Sequence, residues 1–239
     1  MKNQTIIITG GANGIGKETA KMLARDNKVI VLDNDFSACE LLKKDNRKII
    51  THFCDITSKD SVDETVEALF LKHGNIDILI NNASIQTIHN VLDLSLEDWN
   101  MVLNVNLTGT FIVSQSVVKK MIGGKILNII STHYNKPRSS HIHYDISKAG
   151  VAMLTKAMAS ELAPRKITVN ALAIGATYTN MNKAYNVFPH LVEEALTKIP
   201  LKRICAAEEI AGYIINVLSH FGEYTTGSIF TIDGGRSLM

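Results

Sequence analysis

Along the chain, short β-branched apolar runs alternate with longer stretches in which apolar residues recur at helical spacing. Runs over 5–8, 29–32, 49–53, 76–80, 125–130, 168–172 and 228–232 predict buried strands. After Gly14, Ile15, Thr19, Met22 and Leu23 alternate with Lys17, Glu18 and Lys21, which predicts an amphipathic helix. A second helix is expected from Thr57, with Asp60 as capping partner, through Val62, Val66, Leu69 and Phe70 to a stop at His73-Gly74-Asn75. Ser95-Leu96-Glu97-Asp98 opens a long helix that carries Val102, Val105, Leu107, Phe111, Val113 and Val117, encloses Asn106, and ends at Gly123-Gly124. Further helices are predicted over 144–162, with Pro164 at the exit, and over 208–218. Strands alternating with helices imply an α/β, doubly wound parallel sheet of about seven strands flanked by helices, in a single domain over 1–239. The rhythm breaks over 173–200, a polar stretch with scattered Met181, Tyr185, Val187, Phe188 and Leu191. From 177 to 200 this segment is expected to cover a site as a lid.

Composition narrows the class without changing this picture. With 239 residues, 46% of them hydrophobic and 20% charged, the chain suits one larger domain with a continuous core. A net charge of +2 without a basic block gives no reason to expect nucleic acid. No signal-peptide core is visible, and no uninterrupted apolar run reaches membrane-spanning length, so a cytoplasmic protein is expected. Cys39, Cys54 and Cys205 are odd in number and widely spaced, which fits reduced, incidental thiols.

Candidate chemistry begins at the first strand. It runs into Thr9-Gly10-Gly11-Ala12-Asn13-Gly14, then a helix, then a strand closed by Asp33. A helix N-terminus offers unpaired N–H groups, and glycines admit a pyrophosphate close to the backbone, so this unit is expected to bind a dinucleotide. A carboxylate at Asp33 can accept from both ribose hydroxyls and repels a 2′-phosphate. The loop has no Arg or Lys to meet an extra phosphate, and NAD is therefore favoured over NADP. Asn81-Asn82-Ala83-Ser84 forms a small polar turn at the ligand-carrying edge of such a sheet. Tyr144 and Lys148 lie one turn apart on a helix face, where an ammonium would lower the phenol pKa toward the working pH. Ser131, ending the preceding strand, can donate to the same substrate oxygen.

These motifs together resemble the short-chain dehydrogenase/reductase family over nearly the whole chain. They are Thr9 to Gly16, Asn81-Asn82-Ala83, Asn106-Leu107-Thr108-Gly109, Ser131, and Tyr144-Asp145-Ile146-Ser147-Lys148. Thr179 four residues after Gly175, Pro200-Leu201-Lys202-Arg203, Glu208-Glu209-Ile210-Ala211, and Thr226-Gly227 before Asp233-Gly234-Gly235 add to the match. The resemblance implies a Rossmann-type fold and hydride transfer between a substrate carbon and nicotinamide C4. Tyr144 would exchange the proton, Lys148 would lower its pKa and hold the nicotinamide ribose, Ser131 would orient the substrate oxygen, and Asn106 would hold a relay water. Gly10, Asn13, Gly14, Ile15 and Gly16 match the phosphate loop, Asp33 the ribose selector, and Asp55 and Ile56 the adenine contact. Asn82 and Ala83 match the ribose lining, and Thr177 and Thr179 the amide contact. Departures are Ser84 for a usual Gly, Ile174 for a usual Pro, and Cys205 and Ala207 for a common Gly and Pro. Ser84 is expected to crowd the cofactor loop, and Ile174 to loosen the turn near the nicotinamide.

The polar segment between Ser131 and Tyr144 suits a sugar or polyol better than a sterol. Its His133, Pro137 and His143, together with 94–100 and Asn180-Met181-Asn182, resemble the bacterial glucose 1-dehydrogenase branch. That resemblance makes Gln86 and His133 substrate contacts. His141 and His143, read as alternate strand residues, form a possible metal pair, but nothing completes a site, and surface or pocket-edge histidines are the better reading. The enzyme alternative is an NADPH-preferring carbonyl reductase of the 3-oxoacyl-carrier-protein type, which Asp33 disfavours. The non-enzyme alternative is a cofactor-sensing protein, which the presence of Ser131, Tyr144 and Lys148 disfavours. Small residues Gly109, Ala149, Gly150 and Ala152 would allow close helix packing, and the resemblance implies a homotetramer, or a homodimer, on such faces.

Overall fold

In a computed structural model, residues 1–179, 189–220 and 224–239 are described. Met181, Tyr185, Val187 and Phe188, and with them Asn180-Met181-Asn182, lie outside the described residues. Seven parallel strands form one sheet: β1 (Thr5–Thr9), β2 (Lys28–Asp33), β3 (Ile49–Phe53), β4 (Ile78–Asn81), β5 (Gly124–Ser131), β6 (Ile167–Ile174) and β7 (Ile229–Ile232). Their spatial order is β3-β2-β1-β4-β5-β6-β7, so the winding reverses between β1 and β4. A crevice opens at such a reversal, at the carboxyl ends of the strands.

The helices are α1 (Gly14–Leu23), α2 (Phe36–Asp45), α3 (Lys59–His73), α4 (Leu96–Leu103), α5 (Thr110–Val118), α6 (Ile142–Leu162), α7 (Pro189–Thr197) and α8 (Ala207–His220). The inner strands are buried on both faces, the edge strands β3 and β7 only in part, and successive residues alternate between the two sides of the sheet. Ile6 and Ile8 pack with α1, α2 and α8, while Ile7 packs with α3, α5 and α6.

Several elements differ from the sequence expectation. Helix α2 has no counterpart there, because Phe36 and Leu41 are exposed and blur an apolar spacing that only Ala38, Cys39 and Leu42 carry inward. Helix α3 is capped by Ser58, whose hydroxyl accepts from Ser61 N at 3.3 Å. Thr57 instead donates through its N–H and hydroxyl to Asp55. The long helix opening at Ser95 is interrupted by a π-turn over Asn104–Gly109, which periodicity does not signal. By length and composition the segment Leu96–Val118 is apolar enough to cross a membrane, contrary to the sequence reading. Half of its apolar window is buried inside the protein.

The small residues have intramolecular work. A Cβ on Gly150 would come within 2.8 Å of the Leu107 side chain, and one on Gly109 within 2.9 Å of Ile56. Both seat helices inside the protomer and Ala152 is buried, whereas Ala149 is exposed, as are Leu96, Met101, Phe111, Ile142, Ile146 and Met153 on these helices. Ile174 does not loosen its turn either. It pairs with Ser131 and Ile232 in the sheet, and Gly175 N donates to Ile232 O at 2.8 Å.

A buried polar chain fixes the centre of the sheet to α6. Asn81 Nδ2 donates to Asn128 Oδ1 at 2.8 Å and to Ser114 Oγ at 2.9 Å, and Asn128 Nδ2 donates to Thr155 Oγ1 at 2.9 Å. Asn128→Ala removes two of these bonds and leaves buried partners unpaired, so unfolding in urea should show a loss of about 3 kcal/mol.

Candidate active site

The crevice at the β1/β4 reversal is a cavity of about 420 Å³ that runs from Asp33, Asp35 and Asp55 at one end to Ser131, His133 and Tyr144 at the other. Its first wall is the turn after β1. Gly10 has φ +61°, and a Cβ there would lie 2.6 Å from Ala83 Cα. A Cβ on Gly16 would lie 2.4 Å from Gly10 O. Only glycine permits this fold-back, which brings the N-terminus of α1 to the cavity with no acidic residue in its first turn. Gly10, Asn13, Gly14 and Ile15 line the cavity, whereas Gly16 acts behind it by packing.

Asp33 is aimed by the loop it serves. Its Oδ2 accepts from Ala12 N and its Oδ1 from Asp35 N, each at 3.0 Å, which leaves lone pairs for further donors. Asp55 lies beside it and Ile56 is buried at the same end. Asn82 donates from Nδ2 to Gly10 O at 2.8 Å and to Thr9 O at 3.2 Å, while Ala83 N donates to Thr9 Oγ1. On the far wall, Thr177 is 2% exposed and donates to Gly175 O, and Thr179 lies against Gly14.

The chemical end is built by β5 and α6. Ser131 ends β5, and its hydroxyl accepts from His133 N at 3.2 Å. Tyr144 and Lys148 lie in the first two turns of α6, both buried, with Lys148 Nζ 5.5 Å from the phenol ring centre and donating to Ile129 O at 3.3 Å. Burial pushes the Tyr144 phenol up to about 12, against hydrogen bonding from Ser131 and Ser84 that lowers it. The same burial pulls Lys148 down to about 8. The sequence expectation that Lys148 lowers the Tyr144 pKa is therefore not met in the protein alone, because desolvation disfavours both charged forms. Ser84, expected to crowd the cofactor loop, stands instead beside the phenol, with its Oγ sealed from solvent.

Asn106 does not line the cavity. From the π-turn its Oδ1 accepts from Ile85 N at 2.8 Å, and its Nδ2 donates to Ile85 O and to Ser147 Oγ. Both amide ends clamp the strand-end segment that carries Ser84 and Gln86. Gln86 and His133 both line the cavity.

The histidines form a buried group and are not at the surface. His141 and His143 are 2% and 0% exposed, and they sit at the start of α6, where residues two apart diverge. His141 donates from Nδ1 to Ser139 O at 2.7 Å, which leaves Nε2 to accept from the Gln86 amide at 3.3 Å. His143 faces Thr87 Oγ1 at 2.6 Å. His133 donates from Nδ1 to Asp145 Oδ1 at 2.6 Å, and its ring meets Tyr144 edge-on at 5.7 Å. Burial holds its pKa below the usual histidine value despite Asp145, so the neutral ring offers Nε2 as an acceptor. No group of three metal-ligating side chains occurs among the described residues. Asp145, which the sequence reading did not single out, also accepts from Arg138 N at 2.8 Å and so ties the 132–141 loop to α6. A carboxylate directly after Tyr144 was its available signal.

The family model for the short chain dehydrogenase matches residues 4–189. The chain belongs to the short chain dehydrogenase family. It is 36% identical over 244 residues to 3-oxoacyl-(acyl-carrier-protein) reductase FabG of Thermotoga maritima, covering 98% of each chain. It is 30% identical over 249 residues to glucose 1-dehydrogenase 2 of Bacillus subtilis, covering 100% of this chain and 96% of that one. A short-chain type dehydrogenase/reductase from Mycobacterium marinum superposes with a TM-score of 0.93 at 32% identity, covering 100% of this chain and 97% of the other. The protein is accordingly a short-chain oxidoreductase that acts on CH–OH or carbonyl groups.

Lys148 provides a pH-dependent test. Its folded pKa of about 8 lies below that of the unfolded chain, so the unfolded state binds more protons between the two values and stability rises with pH there. Below about pH 8 the folded protein carries the full cost of burying an ammonium, on the order of 3 kcal/mol. Lys148→Met should therefore raise thermal stability at pH 7 and lose that advantage by about pH 10.5 in melting experiments.

Proposed function

We propose that the protein transfers hydride between NAD and a secondary alcohol or ketone of a polar small molecule, a sugar or polyol, with Tyr144 as general acid/base. The observation that carries this reading is one cavity with Asp33 at one end and the Ser131, Tyr144 and Lys148 side chains at the other. The glycine turn, a cradle that any Cβ on Gly10 would fill, and the bare N-terminus of α1 fit a pyrophosphate. Gly10, Asn13, Gly14, Ile15 and Gly16 would hold the phosphates, Asp33 the adenosine ribose, and Asp55 and Ile56 the adenine end. Asn82, Ala83, Tyr144 and Lys148 would flank the nicotinamide ribose, and Thr177 and Thr179 the amide.

When bound, oxidised NAD supplies a hydride acceptor and a positive charge that favours phenolate. In the oxidising direction Tyr144 would take the alcohol's hydroxyl proton and pass one proton on to solvent, so that removal of the carbon's hydride by the bound cofactor would leave a ketone. Ser131 orients the oxygen. Lys148, held by Ile129 O, stands beside the phenol ring, and Asn106 fixes the segment opposite, with a relay water a further role for it. Gln86 and neutral His133 receive substrate hydroxyls. Thr177 and Thr179, at the start of the 177–200 segment, line the cavity. Copies of the chain associate through the exposed Phe111, Ile146 and Met153 faces into a homodimer or homotetramer, in the cytoplasm.

A second reading, a 3-oxoacyl-carrier-protein-type reductase, is favoured by the 36% identity to the Thermotoga maritima reductase against 30% to the glucose dehydrogenase. The two readings differ in cofactor and substrate. Nicotinamide absorbance should report NAD turnover with polyols, lowered by roughly 10²–10⁴-fold in Tyr144→Phe. Asp33→Ala should shift the NAD:NADP ratio of kcat/KM toward NADP by about tenfold or more. Activity confined to NADPH and acyl-thioester ketones would establish the second reading. Cofactor binding without turnover of any compound would leave a non-catalytic sensor.

A further inference from the structure

The cavity is electrically divided. Its carboxylates, Asp33, Asp35 and Asp55, all belong to β2, its following turn and the residues after β3, at the adenosine end. Its cations, Lys148, Arg138 and Arg236, all lie toward Tyr144. Arg236 follows the Asp233-Gly234-Gly235 turn after β7, is half-buried, and lies near enough to His133 and His141 for its charge to lower both of their pKa values. Arg138 acts likewise on His141 from the exposed mouth of the cavity.

Among the described residues neither guanidinium has a carboxylate partner within 4.0 Å. The nearby carboxylate, Asp145, is already engaged on both oxygens by His133 Nδ1 and Arg138 N. Asp233, at the root of the Arg236 turn, accepts from Gly235 N and Ser237 N. Burial near a low-dielectric pocket makes an unpaired cation costly, and a planar guanidinium is matched by a carboxylate or phosphate. Beside these charges, Gln86, Thr132 and the Nε2 of neutral His133 offer hydrogen bonds suited to hydroxyl groups.

We propose that the substrate carries an oxyanion, a carboxylate or a phosphate, on a hydroxylated carbon chain, and that Arg236, with Arg138 at the mouth, holds this group while Tyr144 works on a neighbouring hydroxyl. The inference rests on the oxidoreductase reading above and specifies its substrate class. Arg236 is a specificity determinant under this proposal and takes no part in the proton transfer.

The test compares NAD-dependent rates on gluconate, a hexose phosphate, glucose and sorbitol for the wild type, Arg236→Gln and Arg138→Gln. An anionic compound should exceed its neutral counterparts in kcat/KM by about tenfold or more, the size of one charge-assisted hydrogen bond. Whether gluconate or the phosphate is the better substrate distinguishes the two oxyanions. Arg236→Gln should raise KM for the anion by a similar factor, while kcat and the KM of neutral polyols stay within about twofold. Neutral compounds used as well as anions, or an anion KM indifferent to Arg236, overturn the proposal and leave the reaction class standing. If no compound turns over, the reaction reading fails by itself. Calorimetry of gluconate and inorganic phosphate on the NAD-loaded protein then decides the anion site: binding lost in Arg236→Gln supports it, and absence of binding overturns it.

Discussion

The ends of β1 and β4 diverge at the reversal of the sheet, and four hydrogen bonds clasp them together. Thr9 Oγ1 accepts from Asn82 N and Ala83 N, each at 3.1 Å, while Asn82 Nδ2 donates to Thr9 O and Gly10 O. The segments that follow these two paired strands are thereby held together as one wall. On one side the clasp sets the glycine turn and the direction of α1. On the other it delivers Ser84 and Gln86 to the opposite end of the cavity, with Asn106 gripping Ile85 from behind. A buried threonine hydroxyl and one amide thus fix the distance between the place for a pyrophosphate and the place for chemistry.

Beyond that clasp the site depends on a tension between burial and charge. Tyr144 and Lys148 are both more than nine-tenths buried, and desolvation moves the two pKa values in opposite directions, each toward the neutral form. A site left in that state is a poor base. A positive charge placed beside the phenol would favour the phenolate, as the proposed binding of an oxidised nicotinamide would do. The cavity's acidic residues, Asp33, Asp35 and Asp55, and its basic ones, Lys148, Arg138 and Arg236, would attract ligand groups of opposite charge.

Much of the architecture was legible because parallel strands buried on both faces read as short runs rich in β-branched apolar residues, and 5–8, 29–32 and 125–130 all reappear within β1, β2 and β5. The Tyr144, Lys148, Ser131 and Asp33 positions were legible as types at fixed spacing, and the fold brings all four to one cavity. What escaped lacks a periodic signal. Helix α2 exposes Phe36 and Leu41, and Arg138 and Arg236 reach the cavity from separate segments, with Asp145 bound to His133 and to Arg138 N behind it. Their neighbourhood is a product of tertiary packing alone. The histidines were misplaced for a related reason: a strand reading put His141 and His143 on one face, whereas α6 begins between them and sends one to Gln86 and the other to Thr87.

The π-turn over Asn104–Gly109 has a consequence for how this helical region can change. A π-turn holds one residue more than an α-turn and so takes up an extra residue between α4 and α5. Val102 before it and Val113 and Val117 after it are all buried, with Asn106 aimed at Ile85 from within the turn. Loss of a single residue inside the turn would convert it to an ordinary α-turn, leaving the helices packed as they are but taking Asn106 off its aim at Ile85. The length of this segment is therefore set by the site and not by the core.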